Sequence, residues 1–196
     1  LYLIKCVLLR LFFGIFSNNF GIEHPVRQVN SIYFDTDNLN FFKDNLNGVS
    51  NRFKYRFRWY GSNRNFNLKL EIKHKSNMSG WKNFFDLGKF YSYRDLMRYI
   101  NLKNFNNISS LSNKNLFPVL KTSYKRYYFI SNCSKFRATI DQDISIEKIE
   151  INNMSSFPIF LFKDVLEFKY RIKEDFKFRN SRMLSHYPFR ISKFSK

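Results

Sequence analysis

The stretch "NRFKYRFRWYG", Asn51 to Gly61, constrains the fold more than any other. Phe53, Tyr55, Phe57 and Trp59 alternate with Arg52, Lys54, Arg56, Arg58 and Tyr60. Period-two alternation of this length predicts a β-strand with two unlike faces. One face is aromatic, and the other carries four cations in a row. Like charges on one strand face repel. Such a row predicts either a solvated face, the ordinary place for charged residues, or a strongly anionic ligand seated on it.

Other segments repeat the design. In "FNLKLEIKHK", Leu68, Leu70, Ile72 and His74 alternate with Lys69, Glu71, Lys73 and Lys75. "KFRATIDQDISI" places Arg137, Thr139, Asp141 and Asp143 on one face, and "DVLEFKYRIK" does the same for Glu167, Lys169 and Arg171. "VNSIYFDT", "WKNFFDL" and "PVLKTSYKRYYFI" read as further strands. Two helices are expected among these strands. "DNLNFFKDNL" follows the capping candidates Asp35 and Thr36, with Leu39, Phe42 and Leu46 on one side and Gly48 as its left-handed stop. "SYRDLMRYI" opens with Ser92 and Asp95 at capping-box distance and has Leu96, Tyr99 and Ile100 on one face. Strands with one apolar and one charged face suit an antiparallel sheet with a wet side. They equally suit a closed barrel with a polar lumen and an apolar skin under helices.

Charge narrows the partners. Thirty-four Lys and Arg against fifteen Asp and Glu give a net charge of +19, which attracts nucleic acid, polyphosphate, nucleotides or an anionic membrane surface. Two cysteines, Cys6 and Cys133, exclude a disulfide framework and a cysteine-rich zinc site, and suit a reducing compartment. His24, His74 and His186 lack metal-ligand spacing. The apolar start "LYLIKCVLLRLFFGIF" is interrupted by Lys5 and Arg10, is short for a membrane span, and has no signal-peptide cleavage site. It reads as a short strand and a buried helix. "NLKNFNNISSLSNKN" is polar and reads as a flexible loop. No P-loop pattern is present.

Glu71 and Glu167 each stand two residues before a lysine on their strand face. Carboxylates are the ligands Mg²⁺ and Mn²⁺ prefer, and arginine forks suit phosphate oxygens. Cations with a few carboxylates are what a metal–triphosphate complex needs. The competing reading of both glutamates is an internal salt bridge with neighbouring cations. Asp35 reads as a helix cap, Trp59 and Tyr60 as packing residues, and Asp141 and Asp143 as metal assistants, turn formers or salt-bridge partners.

"VNSIYFDT", "NRFKYRFRWYG", "LEIKHK", "SYKRYYF", "FRATIDQD", "VLEFKY" and "KFSK" run in an order that resembles VTC-type polyphosphate polymerase domains, of the CYTH-like or triphosphate tunnel metalloenzyme group. The resemblance covers Val29 to the last residue. It implies an α+β fold: an antiparallel β-barrel, the triphosphate tunnel, with helices packed outside, as a single domain over residues 1–196. No lysine precedes "YLI", where the family has one, and "FSK" is the last motif, so both ends read as truncated relative to a full domain.

By motif, the resemblance makes Arg56, Arg58, Lys73, Lys82, Arg126, Arg137 and Lys196 the phosphate-binding and catalytic cations, and Glu167 the metal ligand for Mn²⁺ or Mg²⁺. Within "NRFKYRFRWYG", Arg56 and Arg58 carry the match; Arg52 and Lys54 lie nearer the strand's start. The implied reaction moves the terminal phosphate of ATP onto inorganic polyphosphate and releases ADP. The implied partners are ATP and polyphosphate, with no nucleic acid. The implied setting is the cytoplasm or the cytoplasmic face of a membrane, any anchor lying in a longer parent protein. A tunnel-fold triphosphatase, a non-catalytic polyphosphate-binding domain and a basic nucleic-acid-binding module stand as alternatives.

Overall fold

The computed structural model describes residues 20–77, 79–101, 114–149 and 157–176. The apolar start, the tail with Lys196 and most of the Asn/Ser-rich stretch lie outside them. The described residues form a mostly antiparallel β-sheet with two α-helices. In chain order the elements are β1 (Phe20–Asp35), α1 (Asn40–Leu46), β2 (Asn51–Tyr60), β3 (Arg64–Ser76) and β4 (Ser79–Ser92). Then come α2 (Tyr93–Asn101), β5 (Phe117–Ser131), β6 (Phe136–Lys148), β7 (Ile159–Phe160) and β8 (Val165–Tyr170), with a 3₁₀ turn at Ile172–Glu174.

Strand pairing follows the order β4-β3-β2-β1-β5-β6-β7, with β8 also on β6. This is a path with two ends. Among the described residues the sheet is not closed into a barrel; its order is open and ends at β4 and β7.

The chain forms two compact units. Among the described residues, the larger draws on those between 27 and 125 and between 143 and 163, the smaller on 20–26, 126–142 and 164–176. In the larger unit the aromatic face of β2 is core. Phe57 and Trp59 are fully buried and Tyr55 nearly so, packed with Leu68, Leu70 and Ile72 of β3. Leu96 and Ile100 of α2 and Phe41 of α1 complete this cluster, so the expected apolar skin does lie under helices. His74 ends the buried row of β3 between the rings of Phe53 and Trp81, hydrogen-bonded to Asn51. Gly80 is required beside it, because a Cβ there would stand 2.8 Å from the His74 carbonyl oxygen.

Both caps appear as the sequence predicts. The Ser92 hydroxyl accepts from Asp95 N–H at 3.2 Å and donates to the Asp95 carboxylate at 2.8 Å. Asp35 accepts from the amides of Thr36, Phe41 and Phe42 at 2.7 to 2.9 Å, quenching donors that the first turn of α1 leaves unpaired. Gly48, with φ of 69°, follows α1 as expected. The buried face of α1 differs from expectation. Leu39 takes a left-handed φ of 54°, so the helix starts only at Asn40. That turns Phe41 onto Tyr55 and leaves Leu39, Phe42 and Leu46 exposed.

The smaller unit has its own core of Phe20, Phe129, Ala138 and Ile140, lined by Leu166 and Phe168 of β8. Its β6–β8 register sets Arg137 opposite Lys169 and Thr139 opposite Glu167. The expected alternation along β6 does not run through Asp143. That residue takes a φ of 52°, which resets the period: Asp141 and Gln142 are both buried while Asp143 is exposed.

Candidate functional site: a cation face on β1 to β4

Register decides which charges meet. On β2 and β3, Arg52 lies opposite Lys75, Lys54 opposite Lys73, Arg56 opposite Glu71 and Arg58 opposite Lys69. β1 adds Ser31 opposite Arg58 and Tyr33 opposite Arg56. β4 adds Lys82 opposite Lys73 and Asp86 opposite Lys69. Directly opposed residues share a sheet face, so the polar sides of four consecutive strands form one surface.

Its centre is an arginine pair on one carboxylate. Arg56 donates from Nε to Glu71 Oε2 at 2.7 Å, with a second nitrogen 2.5 Å from the same oxygen and a third bonded to the Tyr33 hydroxyl at 3.1 Å. Arg58 reaches Glu71 Oε2 at 3.5 Å, Ser31 Oγ at 3.3 Å and the Tyr124 hydroxyl at 3.5 Å. Arg58 is 8% exposed and Glu71 7%. Burial works against the charge of Arg56, but Tyr33 and Glu71 outweigh it and raise its pKa. The arginines therefore sit in a fixed polar cluster, and the salt-bridge reading of Glu71 is the one the geometry supports.

Beside the pair lies a lysine row. Lys54, Lys73 and Lys82 occupy opposed positions on three neighbouring strands. Burial, then Lys73, Arg52 and Arg56, lowers the pKa of Lys54. Lys73 and Lys82 are exposed. Arg56, Arg58, Lys73 and Lys82 are thus brought to one face.

Arg126, Arg137 and Glu167 belong to the smaller unit. Arg126 holds Asp141 through Nε at 2.5 Å and a terminal nitrogen at 2.7 Å, and Asp141 is fully buried. Arg137 is largely exposed and lies 3.1 Å from Glu23. Glu167 lies 3.7 Å from Lys169, its side chain 48% exposed. Among the described residues no group of three or more His, Cys, Asp and Glu stands ready for a metal ion. Lys196 lies outside the described residues.

Sequence reading missed Ser31, Tyr33 and Tyr124 as supports of the arginines, and Lys54 as a full member of the lysine row. A signal existed for the first two: Ser31, Tyr33 and Asp35 alternate within "VNSIYFDT". Tyr124 carried no comparable mark, because its contact with Arg58 spans 66 residues.

The family model of the VTC domain matches residues 8–196. The chain belongs to the VTC domain family. Comparison with curated proteins gives no match. In this VTC domain the arginines of "RFRWYG" are the pair held on Glu71, and the lysines of "EIK" and "GWK" are two of the three in the lysine row. Among the described residues of the VTC domain, no helix is long and apolar enough to cross a membrane.

Proposed function

We propose that this VTC domain is a polyphosphate polymerase domain. It transfers the terminal phosphate of ATP onto the end of a polyphosphate chain and releases ADP. One observation carries the reading beyond family membership: two arginines and three lysines share one sheet face, the arginines held in place and the lysines set in a row. The closed tunnel implied by the resemblance belongs to this proposal, as do Arg126, Arg137 and Lys196, which are assigned by their motifs.

Phosphoryl transfer asks the protein for positioning and charge stabilisation more than for covalent help. A terminal oxygen of the acceptor forms a bond to the γ-phosphorus, and the bond to the β–γ bridging oxygen breaks. The leaving electrons stay on ADP. An ionised phosphate acceptor needs no general base. Arg56 and Arg58 supply preoriented donors to phosphate oxygens, and Lys73 and Lys82 supply compact charges that follow the chain.

Mg²⁺ sites on phosphate substrates are commonly built from one or two carboxylates plus the phosphates themselves. The half-exposed carboxylate of Glu167 fits that donor set. A divalent ion held there would polarise phosphate oxygens as a Lewis acid.

The test is incubation of the purified protein with ATP and Mn²⁺, with ADP and chain length both measured. ADP together with a ladder of polyphosphates supports the polymerase. Orthophosphate without chain growth replaces it with a triphosphatase. Polyphosphate binding with intact ATP makes it an accessory domain. Salt-steep DNA or RNA binding without ATP consumption makes it a nucleic-acid module.

A further inference from the structure

We propose that Glu71 is a positioning residue, a buried carboxylate that locks Arg56 and Arg58 into one preoriented pair for phosphate oxygens, and is not a metal ligand. The proposal rests on the polymerase reading for its kinetic part and on anion binding alone for the rest.

Arg56 and Arg58 stand two residues apart on one strand, so their side chains leave the same face about 7 Å apart. Two guanidiniums at that distance, Arg58 buried and Arg56 with a fifth of its side chain exposed, repel. Both contact the same atom, Glu71 Oε2, which lies opposite Arg56 on β3. Outer supports complete the fixation: Tyr33 on Arg56, and Ser31 and Tyr124 on Arg58. Each guanidinium has five N–H donors, more than these contacts use. The carboxylate thus neutralises one of two positive charges while fixing both forks. A metal ion at Glu71 would have to compete with two arginines on one oxygen, which is electrostatically unfavourable.

The consequences separate ground-state binding from turnover. Glu71→Gln keeps the shape of the cluster and removes its negative charge. The face becomes more positive, so tripolyphosphate should bind several-fold more tightly. The forks lose their fixed geometry, so kcat should fall at least tenfold, the scale expected for misplaced groups. Glu71→Asp keeps the charge but shortens the reach, so affinity should stay near wild type while kcat falls.

The experiment measures tripolyphosphate binding by calorimetry, kcat with ATP, and the Mn²⁺ concentration for half activation, on wild type and both variants. Tighter binding of Glu71→Gln at unchanged stoichiometry, slower turnover and an unchanged Mn²⁺ requirement support the proposal. Loss of folded protein lowers the stoichiometry without tightening binding, and then Glu71→Asp decides by its kcat. A wild-type kcat in Glu71→Asp overturns the proposal, as does a raised Mn²⁺ requirement in either variant. If wild type binds tripolyphosphate but makes no polymer, the polymerase reading fails separately. The binding arm then decides: tightening supports the role of Glu71, and unchanged or weaker binding overturns it.

Discussion

Arg126 grips Asp141 with two nitrogens on two oxygens, at 2.5 and 2.7 Å, and the aspartate is sealed from solvent. The residue assigned to phosphate by its motif is therefore also one half of a buried ion pair. Removing one partner of such a pair leaves a buried charge uncompensated, at a cost of about 3–5 kcal/mol. Asp141→Ala should lose stability on that scale in urea denaturation. Arg126→Met with Asp141→Leu should recover much of it and still fail to make polyphosphate. Wild-type turnover in the double variant would reduce Arg126 to a structural role.

Arg58→Ala should abolish turnover, as the motif implies, but it will not be structurally silent. Arg58 is buried against Ser31, Tyr124 and Glu71. Losing it should cost roughly 1–3 kcal/mol, as for hydrogen bonds to a charged group. Turnover and the urea midpoint measured on the same preparation check both statements. Polymer synthesis at the wild-type rate would remove Arg58 from the site.

Lys54 gives a pH signature. Its folded pKa lies below the usual lysine value of 10.5, from burial first and then from Lys73, Arg52 and Arg56. Between the folded and unfolded pKa values the unfolded chain binds more protons, so stability rises with pH across that window below 10.5. A bound polyanion favours the charged amine and pushes the pKa back up. Tripolyphosphate binding in the window should therefore take up protons, and Lys54→Met should lose that uptake. Calorimetry in two buffers of different ionisation enthalpy reads it directly; equal heats in both would refute the linkage.

Glu167→Ala should leave stability within about 0.5 kcal/mol, as for a surface substitution, since the side chain is half-exposed with Lys169 as neighbour. Activity should fall, with recovery only at raised Mn²⁺. A Mn²⁺ titration matching wild type would take the metal from Glu167.

Asp35→Ala should destabilise the protein by about 1–2 kcal/mol, the usual worth of an N-terminal helix cap. Three amides lose their acceptor at once. Thermal unfolding tests this, and a substitution with no effect would mean that water replaces the carboxylate.

What the sequence disclosed was local. The alternation of Phe53 to Trp59 against Arg52 to Arg58 identified β2, its buried side and its charged side, because period two is written directly in residue order. The caps at Ser92 and Asp35 were legible for the same reason. The first half of β1 was hidden by Pro25 and a run of exposed residues, which carry no alternation. Left-handed backbone at Leu39 and Asp143 reset helix phase and strand phase, and neither leucine nor aspartate announces that choice. Glu71 on two arginines and Asp141 on Arg126 depend on register between strands, which no single strand encodes.

Lys54, Lys73 and Lys82 form one row that crosses two hydrogen-bonded ladders, β2–β3 and β3–β4. Neighbouring strands in a sheet are held about 4.8 Å apart by their backbones. The pitch of the positions that carry these charges is accordingly a property of the main chain, beyond the reach of side-chain substitution. Mutation can strike out a rung or change its sign, yet cannot respace the rest. A linear polyanion lying across these strands would be metered against a ruler cut in backbone, with affinity open to evolutionary tuning and spacing held constant.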